Sequence, residues 1–280
     1  MSIKDILLQI DTYPDPTPLM AVDRAVEFAK LANARISALA VAVDLPLHSN
    51  RFADYLIGLS KLEKEVEDQS LEAGQRAIDH FTRTAKEAGV FEDAKLVKRS
   101  LYAVPAEVAM QARTRDLCIV PISDRLDGQV EIAIAAIFES GRPVLVYKPA
   151  KAVFGRLAKI VAAWDGSRCA ARALAEAMPL LASAAEVRLV SVLHEKPDLK
   201  PGAAEAALRH LRRHGIEAAA DEVDGAGKSI QQALGGYLQE QAPDLFVMGA
   251  FGHSRLREFI LGGATEFILQ DPPVPTLLAH

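Results

Sequence analysis

The chain has 280 residues, half of them hydrophobic and a quarter charged, which is the make-up of a globular protein with a sizeable core and gives a prior of two domains. A formal net charge of −5, with no Lys/Arg cluster of the kind that tracks a phosphate backbone, argues against nucleic acid as a partner. Two cysteines, Cys118 and Cys169, are too few for a disulfide framework, no apolar run is long enough to span a membrane, and residues 1–5 carry no secretion signal, so a cytoplasmic protein is expected.

Taken from the N-terminus, short apolar runs read as strands near 5–10, 35–43, 93–98, 116–121 and 143–147, separated by helical patterns near 17–33, 51–88, 104–114 and 128–140. The long middle helix carries a solvated face of Lys61, Glu63, Lys64, Glu65, Glu67 and Asp68 around Leu59, Leu62 and Val66. An apolar stretch, Val130 to Phe138, fits a helix buried against a partner domain. The second half repeats the alternation, with strands near 159–164, 187–193, 217–223, 244–249 and 274–279 and helices near 168–183, 202–214, 227–241 and 256–270. Alternating strands and helices of this kind predict α/β units, each a doubly wound parallel sheet with helices on both faces.

The two halves echo each other. Asp5–Asp11 matches Lys159–Asp165, Asp116–Val120 matches Asp244–Met248, and Pro143–Val146 matches Pro273–Leu278, in the same order. A duplicated domain is therefore expected, one copy over 1–150 and one over 157–280, with the seam near Pro149 to Arg156. Pro275 cannot donate to a ladder, which places the last strand at a sheet edge; that edge and its first-half equivalent could pair with each other or with a second chain.

The candidate site lies in the second copy. Gly249-Ala250-Phe251-Gly252 follows the predicted fourth strand, nine residues lead to Gly262-Gly263, and Ala264, Thr265, Phe267 and Ile268 open a helical pattern. A strand, a glycine-bearing loop and a helix N-terminus together form a cradle for an anion. Asp165-Gly166-Ser167, at the end of the domain's first strand, offers either a carboxylate for a ribose hydroxyl or exocyclic amine, or simply a helix cap.

Several rival motifs fail on spacing. Gly225-Ala226-Gly227-Lys228-Ser229 ends like a P-loop, but Glu222 stands where its first glycine belongs, so it reads as a helix start. His210 and His214 have helical spacing on a basic, solvated face, with no third ligand for a metal. Cys118 reads as a small core residue and Trp164 as core beside Asp165, while Cys169 opens a helix. No nucleophile–histidine–acid arrangement has diagnostic context, so no catalytic residue is assigned.

Taken together, Asp165-Gly166-Ser167, the strand ending at Gly249 and the Gly-x2-Gly-x9-Gly spacing resemble the universal stress protein family, over residues 157–280, and the whole chain is similar to its tandem members. The resemblance implies five parallel strands per domain in the order 3-2-1-4-5 and an adenine nucleotide between the first and fourth: ATP, AMP or ADP, with or without Mg²⁺. It implies that Asp165 contacts the nucleoside, that the backbone around Val192 meets the adenine edge, and that Gly249, Gly252 and Gly262 shape the phosphate loop. Gly166, His253, Ser254, Gly263, Ala264 and Thr265 complete the expected contact set. One departure stands out: Gly263 occupies the position where the family signature has a hydroxyl, which costs one hydrogen bond, roughly 0.5–1.5 kcal/mol.

The first copy departs further. After Val120 it reads Pro121-Ile122-Ser123-Asp124-Arg125-Leu126-Asp127-Gly128, with carboxylates in place of a glycine pair, and Asp11-Thr12-Tyr13-Pro14 lacks the Asp-Gly-Ser form. It is expected not to bind nucleotide. The expected protein is a stress-response or regulatory switch rather than an enzyme, working as a homodimer or an intramolecular pseudo-dimer with a regulatory protein partner. The alternatives are a weak ATPase or nucleotidyl-transfer enzyme on the same scaffold, or a dimerisation module that binds nothing.

Overall fold

A computed structural model describes residues 2–45, 59–123, 128–194, 199–251 and 263–280. The N-terminal half contributes β1 (Asp5–Ile10), α1 (Leu19–Leu31), β2 (Arg35–Asp44), α2 (Leu59–Glu87), β3 (Phe91–Ser100), α3 (Val104–Ala112), β4 (Leu117–Pro121), α4 (Gln129–Glu139) and β5 (Val144–Tyr147). The C-terminal half adds β6 (Lys159–Ala163), α5 (Arg168–Leu181), β7 (Glu186–Leu193), α6 (Glu205–Arg213), β8 (Ala219–Asp224), α7 (Ile230–Gln241), β9 (Leu245–Gly249), α8 (Gly263–Gln270) and β10 (Thr276–Ala279). Residues 51–58 and 256–262, which the sequence assigns to helices, lie outside the described residues.

The ten strands among the described residues join one sheet in the order β3-β2-β1-β4-β5-β10-β9-β6-β7-β8. Each half is thus the five-stranded parallel unit expected, strand order 3-2-1-4-5, and the two meet edge to edge. β5 and β10 pair antiparallel through Val146↔Thr276, Leu145↔Leu277 and Val144↔Leu278. Of the two partners the sequence left open for these edges, the structure selects the other half of the same chain. The edge placement of the last strand therefore needs correcting: β10 borders its own half but lies in the middle of the complete sheet. Pro275 is tolerated there because it precedes the first ladder residue and serves as an acceptor, its carbonyl receiving Phe246 N–H at 2.9 Å.

The strands at the centre are buried on both faces, which is why β1, β4, β5, β9 and β10 read as largely apolar runs. The outer strands β3 and β8 are half-exposed and rich in charge, including Glu92, Lys95, Lys98, Asp221 and Glu222, which discourages further edge pairing. Helices α1, α2, α5 and α6 cover one face of the sheet, with Phe28, Phe81, Leu174 and Leu211 in a single cluster spanning both halves. Helices α3, α4, α7 and α8 cover the other, with Val108, Ile132, Leu238 and Ile268 likewise in one cluster. The repeated Asp-Leu that opens the fourth strand of each half has a structural cause: Asp116 Oδ2 accepts Lys4 N–H and Asp5 N–H, and Asp244 Oδ2 accepts Ala158 N–H and Lys159 N–H. Each aspartate locks the fourth strand to the start of the first.

The seam is part of the core. Ala152, Phe154 and Leu157 are buried, and the Phe154 ring sits 5.2 Å from that of Phe28 and 5.4 Å from that of Tyr147, edge on in both cases. The Tyr147 hydroxyl donates to Ala21 C=O at 2.6 Å. Helix α4 differs from the expected burial against a partner domain: Ile132, Ala133, Ala136 and Ile137 face its own sheet, and it reaches the other half through Phe138, whose ring lies 4.5 Å from Phe251 and 4.7 Å from His280. No helix among the described residues is long and apolar enough to cross a membrane.

Candidate functional site

In each half the first and fourth strands pair only over their N-terminal portions. β6 and β9 are bonded from Ile160↔Leu245 to Ala162↔Val247, after which β9 continues beside β10 to Gly249↔Ala279 and β7 continues beside β8 to Leu193↔Asp224. The strands part where strand order reverses, at their carboxyl ends, and this is where doubly wound sheets hold ligands.

Asp165 stands at the end of β6. Its Oδ1 accepts Ser167 N–H at 2.9 Å, and Ser167 caps α5 by accepting Ala170 N–H at 3.1 Å, with Gly166 at φ +73° making the turn between them. The cap is thus Ser167, and Asp165 braces the turn from a half-buried position beside the crevice. Val192 is buried on β7 beyond the last β6 partner, opposite Val223. Next to it, Ser191 Oγ donates to Trp164 C=O at 2.7 Å, and the half-buried Trp164 ring donates through Nε1 to Ala203 C=O at 3.1 Å.

Gly249 is fixed by its neighbours. A Cβ there would fall 2.4 Å from the carbonyl carbon of Cys169 and 2.5 Å from the amide nitrogen of Ala170, because the first turn of α5 rests on the end of β9. The following residues are anchored too. Phe251 has φ +58°, its N–H donates to Thr265 Oγ1 at 3.2 Å, and His280 Nδ1 lies 3.0 Å from Ala250 C=O and 3.5 Å from Cys169 Sγ. Thr265 is buried, so its hydroxyl braces the root of the loop. Gly263 begins α8 beside a half-buried Ala264, and a Cβ at Gly263 would come 3.0 Å from Ile230 Cγ2. The position where the family signature has a hydroxyl-bearing residue is crowded here by the first residue of α7. Gly252, His253, Ser254 and Gly262 lie outside the described residues.

Sequence reasoning missed Phe138, Ile230 and His280, all of which gather here. Their roles come from contacts across long separations, which no local pattern encodes. The rival motifs resolve as expected: Ser229 caps α7 in a capping box with Gln232, and His210 and His214 are exposed, their rings meeting edge on. No group of three potential metal ligands exists among the described residues.

The N-terminal half has its own crevice, a cavity of about 360 Å³ whose wall includes Asp11, Tyr13, Val43, Tyr102, Pro105 and Glu131. Asp11 ends β1 as Asp165 follows β6, yet its surroundings differ. It is buried, Gln9 Nε2 donates to its Oδ1 at 2.6 Å, and Thr17 Oγ1 accepts its N–H at 2.8 Å. Burial pushes its carboxyl up to about 6, against the opposing pull of Gln9 and Gln129. Thr12 turns inward, donating to Val41 C=O at 2.7 Å and lying 2.6 Å from Ser70 Oγ of α2. Asp124 and Asp127, expected to repel phosphate, lie outside the described residues, but Asp11 and Glu131 place two carboxyl groups in the described wall.

The raised Asp11 value has a consequence for stability. The folded carboxyl holds its proton more tightly than the unfolded one, so its contribution is fully present below about pH 4 and is lost as pH rises through about 6. Asp11→Asn is therefore expected to melt higher than the native protein at about pH 8, by on the order of 2–3 kcal/mol, and to show no such gain at about pH 4. Thermal melts of both proteins across that range check this; an equal or lower midpoint for the variant at alkaline pH would contradict it.

These features define a doubly wound α/β protein with a crevice at each of two strand reversals. Residues 157–280 match the model of the universal stress protein family, and the C-terminal half of this chain belongs to that family. A universal stress protein of Synechocystis is 38% identical over 47 residues, 17% of this chain and 16% of that protein, so the match spans only a small part of the curated relative. Among solved structures, a universal stress protein from Archaeoglobus fulgidus aligns over 98% of this chain and 97% of its own with a TM-score of 0.69 and 17% identity. A second, described as a putative universal stress protein from Pseudomonas aeruginosa, covers 99% of this chain and 93% of its own with a TM-score of 0.53 and 17% identity. These two likenesses are of fold.

Proposed function

We propose that residues 157–280 form a domain that binds an adenine nucleotide, ATP or its mono- or diphosphate with or without Mg²⁺, in the crevice between β6 and β9. In this reading the domain over 1–150 binds no nucleotide and the chain is a tandem universal stress protein acting as a cytoplasmic regulatory switch. The observation that carries it is the convergence of Asp165, Gly249 and the N-terminus of α8 on the strand reversal of a universal stress protein domain. Asp165 takes the nucleoside, the β7 backbone at Val192 takes the base edge, and the loop through Gly252, His253, Ser254 and Gly262 to Gly263, Ala264 and Thr265 takes the phosphates. β5 and β10 supply within one chain the contact that a homodimer would otherwise make, and ligand binding stabilises the loop and alters the surface offered to a regulatory protein.

Crowding of Gly263 by Ile230 favours a site whose phosphate contacts are backbone amides. Isothermal titration of the native chain with ATP tests the proposal. Asp165→Asn keeps an oxygen for the Ser167 amide while removing the charge, and is expected to weaken binding about tenfold. Equal affinity in the variant would remove Asp165 from the site, and steady phosphate release would favour the enzyme.

A further inference from the structure

The cavity of the N-terminal half has the size of a small-molecule pocket and the wrong sign for phosphate. Asp11 is 9% exposed and lines it; Oδ1 is held by Gln9, but Oδ2 is buried with no hydrogen-bond partner among the described residues. Gln129 draws on the same carboxyl without a hydrogen bond to Oδ2, so the acceptor is left poorly matched, which is costly and which a ligand donor would relieve. Glu131, on the first turn of α4, adds a second carboxyl group, and no described residue of the wall is basic. The rest of the lining is apolar or aromatic, with Val41, Val43, Val104 and Ile132 inside and Tyr102, 94% exposed, at the mouth. A tyrosine so exposed beside a cavity offers its face to whatever enters.

We propose that this cavity binds a small, flat, cationic ring compound, an aryl amidine or aryl amine free of phosphate, one N–H of which donates to Asp11 Oδ2 while the ring lies against Tyr13 and Tyr102. An amidinium carries a delocalised charge, which suits a partly apolar enclosure better than a compact ammonium, and since Gln9 already holds Oδ1 it bonds Oδ2 through a single N–H. The cation also compensates the Asp11 charge that burial otherwise disfavours. The site is independent of nucleotide binding in the other half and stands or falls without it.

Benzamidine is the probe, titrated into the full chain by calorimetry and saturation-transfer NMR, with benzoate as the same ring bearing the opposite charge. One benzamidine per chain binds at millimolar concentration or below, and benzoate does not. Asp11→Asn weakens benzamidine at least about tenfold, the loss of one charged hydrogen-bonding partner. Tyr102→Ala and Glu131→Gln, both at exposed positions where folding is not at stake, each weaken it several-fold. Absence of benzamidine binding to the native chain overturns the proposal, as does equal binding of benzoate. Unchanged affinity in Asp11→Asn overturns it too, and should that variant fail to fold, unchanged affinity in both rim variants does the same.

Discussion

Gly249→Ala is expected to lower the unfolding midpoint by roughly 6–12 °C, the result of a loss of about 3 kcal/mol in a chain of this size. The added methyl would sit 2.4 Å from Cys169 C, 2.5 Å from Ala170 N and 2.8 Å from Cys169 Cβ. Two of these atoms are backbone of the first turn of α5, which Ser167 caps and which cannot rotate aside as a side chain would. Relief requires α5 to lift from β9, disturbing the buried contacts of Cys169, Ala170 and Ala173. Gly166→Ala makes the comparison, since a Cβ there meets nothing within 4 Å and the cost is only that of an alanine at φ +73°, about 1 kcal/mol. Melts of the two variants with no ligand added separate the steric role of Gly249 from any role toward phosphate. Equal midpoints for the two would contradict the close approach.

Phe154→Ala is expected to cost about 3–5 kcal/mol, the range for removing a buried phenylalanine. Its ring fills the angle between Phe28 of α1 and Tyr147 of β5, and Tyr147 is itself fully buried and hydrogen-bonded to Ala21. The cavity left behind would border Phe28 and Tyr147, which belong to elements far apart in sequence, so collapse to fill it is difficult. Denaturant unfolding reads the loss, with Val153→Ala beside it as control: Val153 is 66% exposed and its truncation should change stability by no more than about 0.5 kcal/mol. A small effect at Phe154 would mean that the connection is a loose tether rather than shared core.

How much of this was legible follows from range. The strands could be read because a buried parallel strand is a short apolar run, and the helices because their faces repeat every three to four residues. The duplication was legible because Asp116 and Asp244 do the same job at the same place in each half. The meeting of β5 with β10 was not fixed by pattern, since an apolar edge says only that something covers it. The interior seam was hidden for the same reason: Ala152, Phe154 and Leu157 are too few to show a period.

At the candidate sites the division is similar. The chemistry of Asp165, Gly249 and Gly263 could be proposed from spacing, whereas the crowding of Gly263 by Ile230 joins residues on different helices and leaves no local trace. Asp11 looked like a mere departure from Asp-Gly-Ser; its burial and its orphaned oxygen depend on Gln9, Thr17 and the cover of α3 and α4. Phe138 gives the two halves a physical link, because it presses on Phe251 at the root of the glycine loop.

The most direct measurement is the stoichiometry and position of bound nucleotide on the full chain, by calorimetric titration with ATP and by crystallography of the saturated protein. One nucleotide per chain, lying between β6 and β9 with its nucleoside at Asp165, is the predicted result; no nucleotide, or a second one in the crevice of Asp11, would contradict it.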